Sequence, residues 1–167
     1  MALVEIDNAR TLWSIPGERT KNGLTQDVPL SPEASAVLGE IAIVESDAGY
    51  VFTSNGEAPL SGYAKGKAKL DIEMLAIARD EAEKAGIDPE KIAIPSWRLH
   101  DLRRTAASGM AKLGKPVHVI EAVLNHRSGQ ISGVAAVYNR YRYLEEKRDA
   151  LKAWGGHVSA VAKPRPS

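Results

Sequence analysis

The stretch Trp97-Arg-Leu-His-Asp-Leu-Arg-Arg-Thr105 opens a helix that the apolar spacing predicts over residues 100–113, with Gly114 as its C-cap. His100 and Arg103 lie three residues apart, which places both side chains on one helical face. The amides and dipole of a helix N-terminus favour anions, so an imidazole and a guanidinium here make a candidate phosphate clamp. Taken alone, the stretch also fits an exposed histidine beside surface arginines.

The residues before this helix predict a small antiparallel sheet. Residues 3–7 alternate in polarity and residues 11–15 are rich in strand formers, so each segment is predicted to form a short strand. Asn22-Gly23 predicts a tight turn, which leads to an edge strand near residues 28–30. A further brief strand is predicted at residues 50–52.

Helices dominate the remainder of the chain. Ser31-Pro32-Glu33 combines an N-cap, a first-turn proline and a first-turn acid, which is typical of a helix start. The expected fold class is α+β, mainly α-helical, with the sheet packed on a helical bundle. Beyond the helix at residues 100–113, the predicted helices cover residues 32–42, 61–85, 116–124 and 143–161.

Composition limits the class of protein. The chain has 167 residues, of which 44% are hydrophobic, enough for one ordinary core. It contains no cysteine, which excludes disulfides, thiolate catalysis and cysteine-bound zinc. No apolar run approaches the roughly 18 residues of a membrane span. We therefore expect a soluble, non-secreted protein.

Charge is distributed unevenly along the chain. Residues 1–96 carry 9 Lys and Arg against 16 Asp and Glu, a net charge of −7. Residues 97–167 carry 13 against 5, a net charge of +8. A basic half suits binding to a polyanion, because each cation placed on a phosphate releases counterions. It also fits a solvated basic surface that balances an acidic one.

Two further segments contain candidate site residues. The first is Leu124-Asn-His-Arg-Ser128, in which His126 lies at the end of the helix predicted at residues 116–124. A histidine there is most often a partner of the helix dipole. Three tyrosines stand among arginines in Val137-Tyr-Asn-Arg-Tyr-Arg-Tyr143, which also fits core packing or a nucleic-acid patch.

Together these elements resemble the tyrosine recombinases, the phage integrase family. His-x-Leu-Arg on one helix, Leu-Asn-His-Arg-Ser about 25 residues later and a following tyrosine are similar to the family's second and third boxes. The segment from Tyr138 to Arg148 resembles the ending of prophage integrases. Lys21, in Glu18-Arg-Thr-Lys-Asn22, is similar to the family's strand-borne lysine. The resemblance covers nearly the entire chain and implies the catalytic-domain fold of that family.

The resemblance implies a role for each matching residue. Tyr138 attacks the scissile phosphate to form a 3′-phosphotyrosine, and Lys21 protonates the departing 5′-oxygen. Arg103 binds the non-bridging oxygens, His100 acts as general acid or base, and His126 donates a hydrogen bond to the phosphate. Tyr141 and Tyr143 remain rival nucleophiles, since spacing alone does not separate the three tyrosines.

The resemblance also implies the partners. These are double-stranded DNA attachment sites and, in the full-length protein, further copies in a synaptic tetramer. Religation needs no ATP, metal or other cofactor, because the bond energy is kept in the phosphotyrosine. The expected DNA contacts are Arg104, Arg127, Arg140 and Arg142.

The sequence departs from the family pattern at its start. No Gly-x-Arg-x-x-Glu box occurs, and Arg10 stands in the wrong context to replace its arginine. We expect residues 1–161 to be a catalytic domain truncated on its N-terminal side, without the upstream DNA-binding domains. Residues 162–167 are expected to be a disordered tail. The isolated piece is expected to have weak or no activity.

Two other functions remain open. A type IB topoisomerase-like strand transferase shares the chemistry, and a prophage remnant could bind DNA without cutting it. A metal-dependent nuclease is disfavoured because no carboxylate cluster suggests a two-metal site. The apolar stripe of the last helix, from Leu144 to Val158, could close the core or dock on a second protomer.

Overall fold

The computed structural model describes residues 1–44, 46–126 and 142–163. The chain forms two compact units, one of Met1–Pro59 with Arg103–Ser167 and one of Leu60–Leu102. The described residues are mostly helical with a small antiparallel sheet, which confirms the predicted class. None of the helices within these ranges is long and apolar enough to cross a membrane.

The sheet of the first unit has two strands, β1 (Leu12–Ile15) and β2 (Gln26–Pro29). They run antiparallel, with Leu12 opposite Pro29 and Ile15 opposite Gln26. The connection contains a 3₁₀ turn, Gly17–Arg19. Gly17 is required there, because a Cβ at this position would lie 2.4 Å from the Gly23 carbonyl oxygen.

The predicted strand at residues 3–7 is wrong, because Leu3–Glu5 forms a 3₁₀ turn. The Glu5 carboxylate accepts hydrogen bonds from the Ala2 amide and the Trp13 indole, each at 3.0 Å, and pairs with Arg19. Glu5 is buried, whereas the apolar Val4 is 93% exposed. The predicted strand at residues 50–52 is also wrong, since Tyr50 makes only an isolated bridge to Ala2.

Among the described residues, four helices contribute to the first unit, and their bounds agree with the predictions to within about two residues. Ser31 caps the first helix by accepting a 3.2 Å hydrogen bond from the Ala34 amide, as its sequence predicts. The last helix ends at Ala162, so that residue is not part of a disordered tail, and residues 164–167 lie outside the described ranges. The helices are α1 (Pro32–Glu40), α3 (Leu99–Lys112), α4 (Val117–Val123) and α5 (Leu144–Ala162).

The core of the first unit lies between α3, α4 and α5. Its buried residues are Met110, Val119, Ile120 and Ala150, with Trp154 packed against them. A Cβ at Gly109 would come within 2.1 Å of the Trp154 ring, so glycine lets α3 approach α5 closely. The α5 stripe predicted from the sequence thus contributes Trp154 to the chain's own core.

The second unit is built on α2 (Tyr63–Lys84). The Trp97 indole donates a 2.9 Å hydrogen bond to the Asp71 carboxylate, and the Lys67 ammonium lies 4.6 Å from the Trp97 ring centre. These contacts hold the segment before α3 against α2. The unit also contains the start of α3, up to Leu102.

Candidate active site

The end of α4 has the geometry that places His126. Leu124 closes the helix, and Asn125 adopts a left-handed conformation with φ of 51°. The His126 amide then bonds back to the Glu121 carbonyl at 2.9 Å, and the Asn125 amide bonds to Ala122 at 3.3 Å. This is a Schellman motif, in which glycine or asparagine is favoured at the left-handed position. The motif explains why asparagine precedes His126.

Arg103 reaches this helix end from α3. Its guanidinium donates a hydrogen bond to the Leu124 carbonyl, one of the carbonyls that a helix C-terminus leaves without an internal partner. A guanidinium carries five N–H donors in a rigid plane, so an anion can be bound by the others. The contact fixes the Arg103 guanidinium at Leu124, which lies two residues before His126.

His126 is the most accessible residue of this segment, with its side chain 52% exposed. Its Nδ1 lies 3.7 Å from a Glu121 carboxylate oxygen, and the two form an ion pair when the imidazole is protonated. Glu121 therefore favours one ring orientation, while the exposed edge remains available to a phosphate.

The β1–β2 hairpin, which carries Lys21, contacts the same helix end. Lys21 is exposed on the turn that follows Gly17–Arg19. Its neighbour Asn22 donates a 2.9 Å side-chain hydrogen bond to Asn125. Gln26 donates a 3.1 Å hydrogen bond to the Val123 carbonyl. Residues 123–125 thus contact the hairpin as well as Arg103, so the hairpin that carries Lys21 packs against the helix end that precedes His126.

The buried Glu5 carboxylate supports the hairpin through its ion pair with Arg19, two residues before Lys21. Burial by itself raises the pKa of Glu5. The hydrogen bonds from the Ala2 amide and the Trp13 indole, together with the Arg19 charge, outweigh burial and lower the pKa below its ordinary value. Glu5 is therefore held as a carboxylate and orients Arg19.

The remaining predicted residues fall in different places. His100 is exposed on the first turn of α3 and belongs to the second unit, while Arg104 is exposed further along α3. Arg142 donates a 3.1 Å hydrogen bond to Asp27. Tyr143 precedes α5, and its ring lies 5.2 Å from that of His118. Outside the described residues lie Arg127, Tyr138, Arg140 and Tyr141.

Sequence reasoning missed four polar residues that organise the site. Asn22 was interpreted only as a turn former and Asn125 only as a motif position, although both are amides beside predicted site residues. Their pairing spans 103 residues and has no local signal. Gln26 and Asp27 are likewise revealed only by the fold. No group of three potential metal-binding side chains occurs within the ranges that the structure describes.

The end of α4 thus contacts Arg103 from α3 and the hairpin that carries Lys21, and His126 follows it directly. A model of the phage integrase family matches residues 1–145, so the chain belongs to this family of tyrosine recombinases, as its motifs predicted. The chain is 28% identical over 157 residues to prophage integrase IntA of Escherichia coli K12, with 94% of this chain covered. It spans 33% of that relative's length. No solved structure matches the chain.

Proposed function

We propose that residues 1–161 are the catalytic domain of a site-specific DNA recombinase that cuts and rejoins strands through a 3′-phosphotyrosine. The observation that supports this proposal is the pair of contacts Asn22–Asn125 and Arg103–Leu124, which join the hairpin that carries Lys21 and the Arg103 guanidinium to the helix end that precedes His126. Membership of a DNA integrase family supports DNA as the substrate. A DNA substrate also supports a location in the bacterial cytoplasm, where the DNA lies.

Cleavage follows as a balanced transfer of the phosphoryl group. The Tyr138 oxygen attacks phosphorus while its proton passes to His100, and the bond from phosphorus to the 5′-oxygen breaks. Lys21 gives a proton to that departing oxygen. In the second half of the reaction, a 5′-hydroxyl of the partner strand attacks the phosphotyrosine. A new phosphodiester bond forms, the bond from phosphorus to the tyrosine oxygen breaks, and the tyrosine is restored. The number of phosphodiester bonds is conserved, so no ATP is consumed.

Arg103 and His126 act on the non-bridging oxygens. Negative charge grows there in the pentavalent transition state, and fixed donors stabilise it without reorganising. The bond from Arg103 to Leu124 orients the guanidinium before the substrate arrives.

Contacts to the DNA backbone come from basic residues around the site. We assign this role to Arg104, Arg127, Arg140 and Arg142, which neutralise phosphates without reading sequence. Pairing of two attachment sites then requires a tetramer on DNA, in which each protomer cleaves one strand.

The test is capture of the covalent adduct on a suicide duplex that loses its 5′-hydroxyl fragment after cleavage. The protein is expressed with whatever segment precedes residue 1 in its gene, because residues 1–167 contain no Gly-x-Arg-x-x-Glu box. We expect an adduct on Tyr138, identified by mass spectrometry and unaffected by EDTA. Tyr138→Phe abolishes it, and Arg103→Ala slows cleavage by about 100-fold or more.

Arg79→Ala is the matched control, because Arg79 forms an ion pair with Glu90 in the second unit. It should leave cleavage unchanged. An adduct on Tyr141 or Tyr143 contradicts the assignment of the nucleophile. DNA binding without an adduct supports a non-catalytic DNA-binding protein, and relaxation of supercoils without partner-strand exchange supports a type IB topoisomerase-like enzyme.

A further inference from the structure

Two asparagine–glycine steps occur in the first unit, Asn22–Gly23 in the hairpin and Asn55–Gly56 in a loop. Such a step is chemically labile, because glycine has no side chain to hinder attack of its amide nitrogen on the asparagine side chain. The two steps are equivalent in sequence. Their surroundings in the folded protein are different.

The backbone at Asn55–Gly56 is held on both sides of the glycine. Gly56 is buried, and a Cβ there would lie 2.9 Å from the Cβ of Ser46. The Gly56 amide donates a 2.9 Å hydrogen bond to the Thr53 hydroxyl, and its carbonyl oxygen accepts one at 2.8 Å from the Ser46 hydroxyl. The nitrogen that would attack Asn55 is therefore restrained, although Asn55 itself is exposed.

The backbone at Asn22–Gly23 is less restrained. Gly23 is exposed, and beyond its chain neighbours no atom lies within 4 Å of the place that a Cβ would take. The Gly23 amide donates to the Thr20 carbonyl at 3.3 Å, which is longer than most N–H···O bonds. Close packing is at the Gly23 carbonyl oxygen, which faces Gly17. The attacking nitrogen is thus accessible and only weakly bonded.

The Asn22 side chain is held by the end of α4. Its nitrogen donates the 2.9 Å hydrogen bond to the side-chain oxygen of Asn125. Its oxygen accepts from the Leu24 amide at 3.2 Å and from the Thr20 hydroxyl at 3.1 Å. The side-chain carbonyl carbon must turn away from these partners before it can meet the Gly23 nitrogen. The Asn125 contact, the shortest of the three, therefore contributes to the barrier.

We propose that Asn22 is a site of spontaneous deamidation, less protected by the fold than Asn55, and that its contact with Asn125 sets the rate. The Gly23 amide loses its proton, and its nitrogen attacks the side-chain carbonyl carbon of Asn22. The new carbon–nitrogen bond closes a succinimide, the bond to the side-chain nitrogen breaks, and that nitrogen leaves with a proton as ammonia. Water then opens the succinimide at either carbonyl, which yields aspartate or isoaspartate.

The product loosens the hairpin from the helix end. A carboxylate has no N–H to donate, so at residue 22 it places an oxygen opposite the side-chain oxygen of Asn125. Isoaspartate also inserts a methylene group into the backbone of the turn. At Asn55 the change is milder, because its oxygen accepts from the Glu57 and Ala58 amides and an aspartate keeps that role.

The experiment is timed incubation of the full-length protein at mildly alkaline pH, followed by digestion after glutamate and mass spectrometry. This digestion separates the two sites, since Asn22 falls in residues 19–33 and Asn55 in residues 46–57. The same incubation in guanidinium chloride gives the rate of each step in the unfolded chain. We expect folding to slow the reaction at Asn55 more than the reaction at Asn22. Equal or greater protection of Asn22 would overturn the proposal.

Substitutions at Asn125 test whether its contact sets the rate. Asn125→Gly removes the acceptor and should speed deamidation of Asn22 by about 5-fold, the factor that corresponds to a hydrogen bond of about 1 kcal/mol. Asn125→Asp keeps an acceptor oxygen and should react like the wild type. Deamidation of Asn55 should be unchanged in both variants. An unchanged rate at Asn22 in Asn125→Gly, or equal acceleration at both sites, would contradict this role of the contact.

Asn22→Asp has the side chain of one product and tests the consequence for the hairpin. It should raise the equilibrium constant of unfolding by about 5-fold or more, because the donor to Asn125 is lost. Asn55→Asp is the matched control and should leave that constant unchanged. Equal effects of the two substitutions would show that the donor at residue 22 is not what holds the hairpin. These measurements use no DNA, so their outcome is independent of strand cleavage.

Discussion

Asn125 meets two requirements that few residues satisfy together. Its φ of 51° is disfavoured for side chains with a Cβ, although asparagine tolerates it better than most. The oxygen of its side-chain amide accepts the hydrogen bond from the side chain of Asn22, which is the residue after Lys21. Glycine would satisfy the first requirement only, and alanine neither. The residue before His126 therefore connects the shape of the helix end to the position of the hairpin.

Substitutions at Asn125 should separate backbone conformation from the amide contact. Asn125→Gly loses only the hydrogen bond, at a cost of about 1 kcal/mol in the free energy of unfolding. Asn125→Ala adds the left-handed strain, about 1 kcal/mol more. Urea denaturation measures both values. Asn22→Ala removes the same hydrogen bond together with the two that the Asn22 side chain accepts from the Thr20 hydroxyl and the Leu24 amide, so it should cost at least as much as Asn125→Gly. Equal losses for alanine and glycine would contradict the role of φ.

Glu5 should make stability depend on pH in the acidic range. Because its pKa is lowered in the folded protein, its contribution is fully present above the pKa of the unfolded chain and is lost as pH falls through the folded value. Glu5→Gln should therefore lower the free energy of unfolding by about 1–3 kcal/mol at pH 7. Wild type and variant should converge as the pH is lowered below about 4.

Denaturant unfolding at several pH values measures this difference. Glu57→Gln removes a carboxylate from an exposed loop position and controls for the loss of one negative charge. A stability difference between wild type and Glu5→Gln that stays constant from pH 7 to pH 3 would show that the ionised carboxylate is not what stabilises this turn.

At the scale of elements, α1 packs on α5 at a single glycine. A Cβ at Gly155 would lie 2.4 Å from a Glu33 carboxylate oxygen and 2.6 Å from the Ser31 hydroxyl. Its neighbour Gly156 has nothing closer than Glu33 at 4.0 Å. Adjacent glycines in one helix therefore differ completely in the space around them.

This difference gives a matched pair of variants. Gly155→Ala should lower the free energy of unfolding by about 1–3 kcal/mol, because α1 must move or lose its cap. Gly156→Ala should raise it by about 0.5–1 kcal/mol, since alanine favours a helix where it causes no clash. Thermal or urea unfolding of the two variants shows whether each substitution raises or lowers the free energy of unfolding. If both substitutions lowered the free energy of unfolding, close packing at Gly155 alone would not explain the result.

The helices could be predicted from the sequence because their ends have local signals. Ser31-Pro32 and Gly114 mark boundaries through capping and glycine conformation, which depend on neighbouring residues alone. Residues 3–7 could not be predicted in the same way. Their alternation suggested a strand, but Glu5 points inward to Trp13 and Arg19, and only the folded hairpin supplies those partners.

The same distinction applies to the candidate site. Arg103 and His126 could be identified from short motifs, whose order along the chain predicted the family. Their organisation could not, because it depends on pairs distant in sequence. Asn22 and Asn125 are 103 residues apart, and Asp27 and Arg142 are 115 apart. Neither pair leaves a pattern in the local sequence.

At the scale of the whole molecule, the charge asymmetry predicts DNA binding, but net charge overstates the cations available. In the described part of the C-terminal half, carboxylates already pair with basic residues, as Asp149 does with Lys115, Asp27 with Arg142 and Glu145 with Arg148. A basic residue in such a pair neutralises a phosphate only if its ion pair opens. The number of counterions released on binding should therefore be smaller than the charge of +8 in residues 97–167 suggests.

The salt dependence of DNA binding measures this number. If Arg103 and the four proposed contact arginines each neutralise one phosphate, the slope of log K against log salt should be about −4 to −5. Affinity should then fall by about 10²- to 10³-fold between 50 and 200 mM salt. Arg104→Gln should make the slope shallower by about one, equally for all DNA sequences. Arg79→Gln, in the acidic half, should leave the slope unchanged. A slope near zero, or equal effects of the two substitutions, would place the DNA surface elsewhere on the chain.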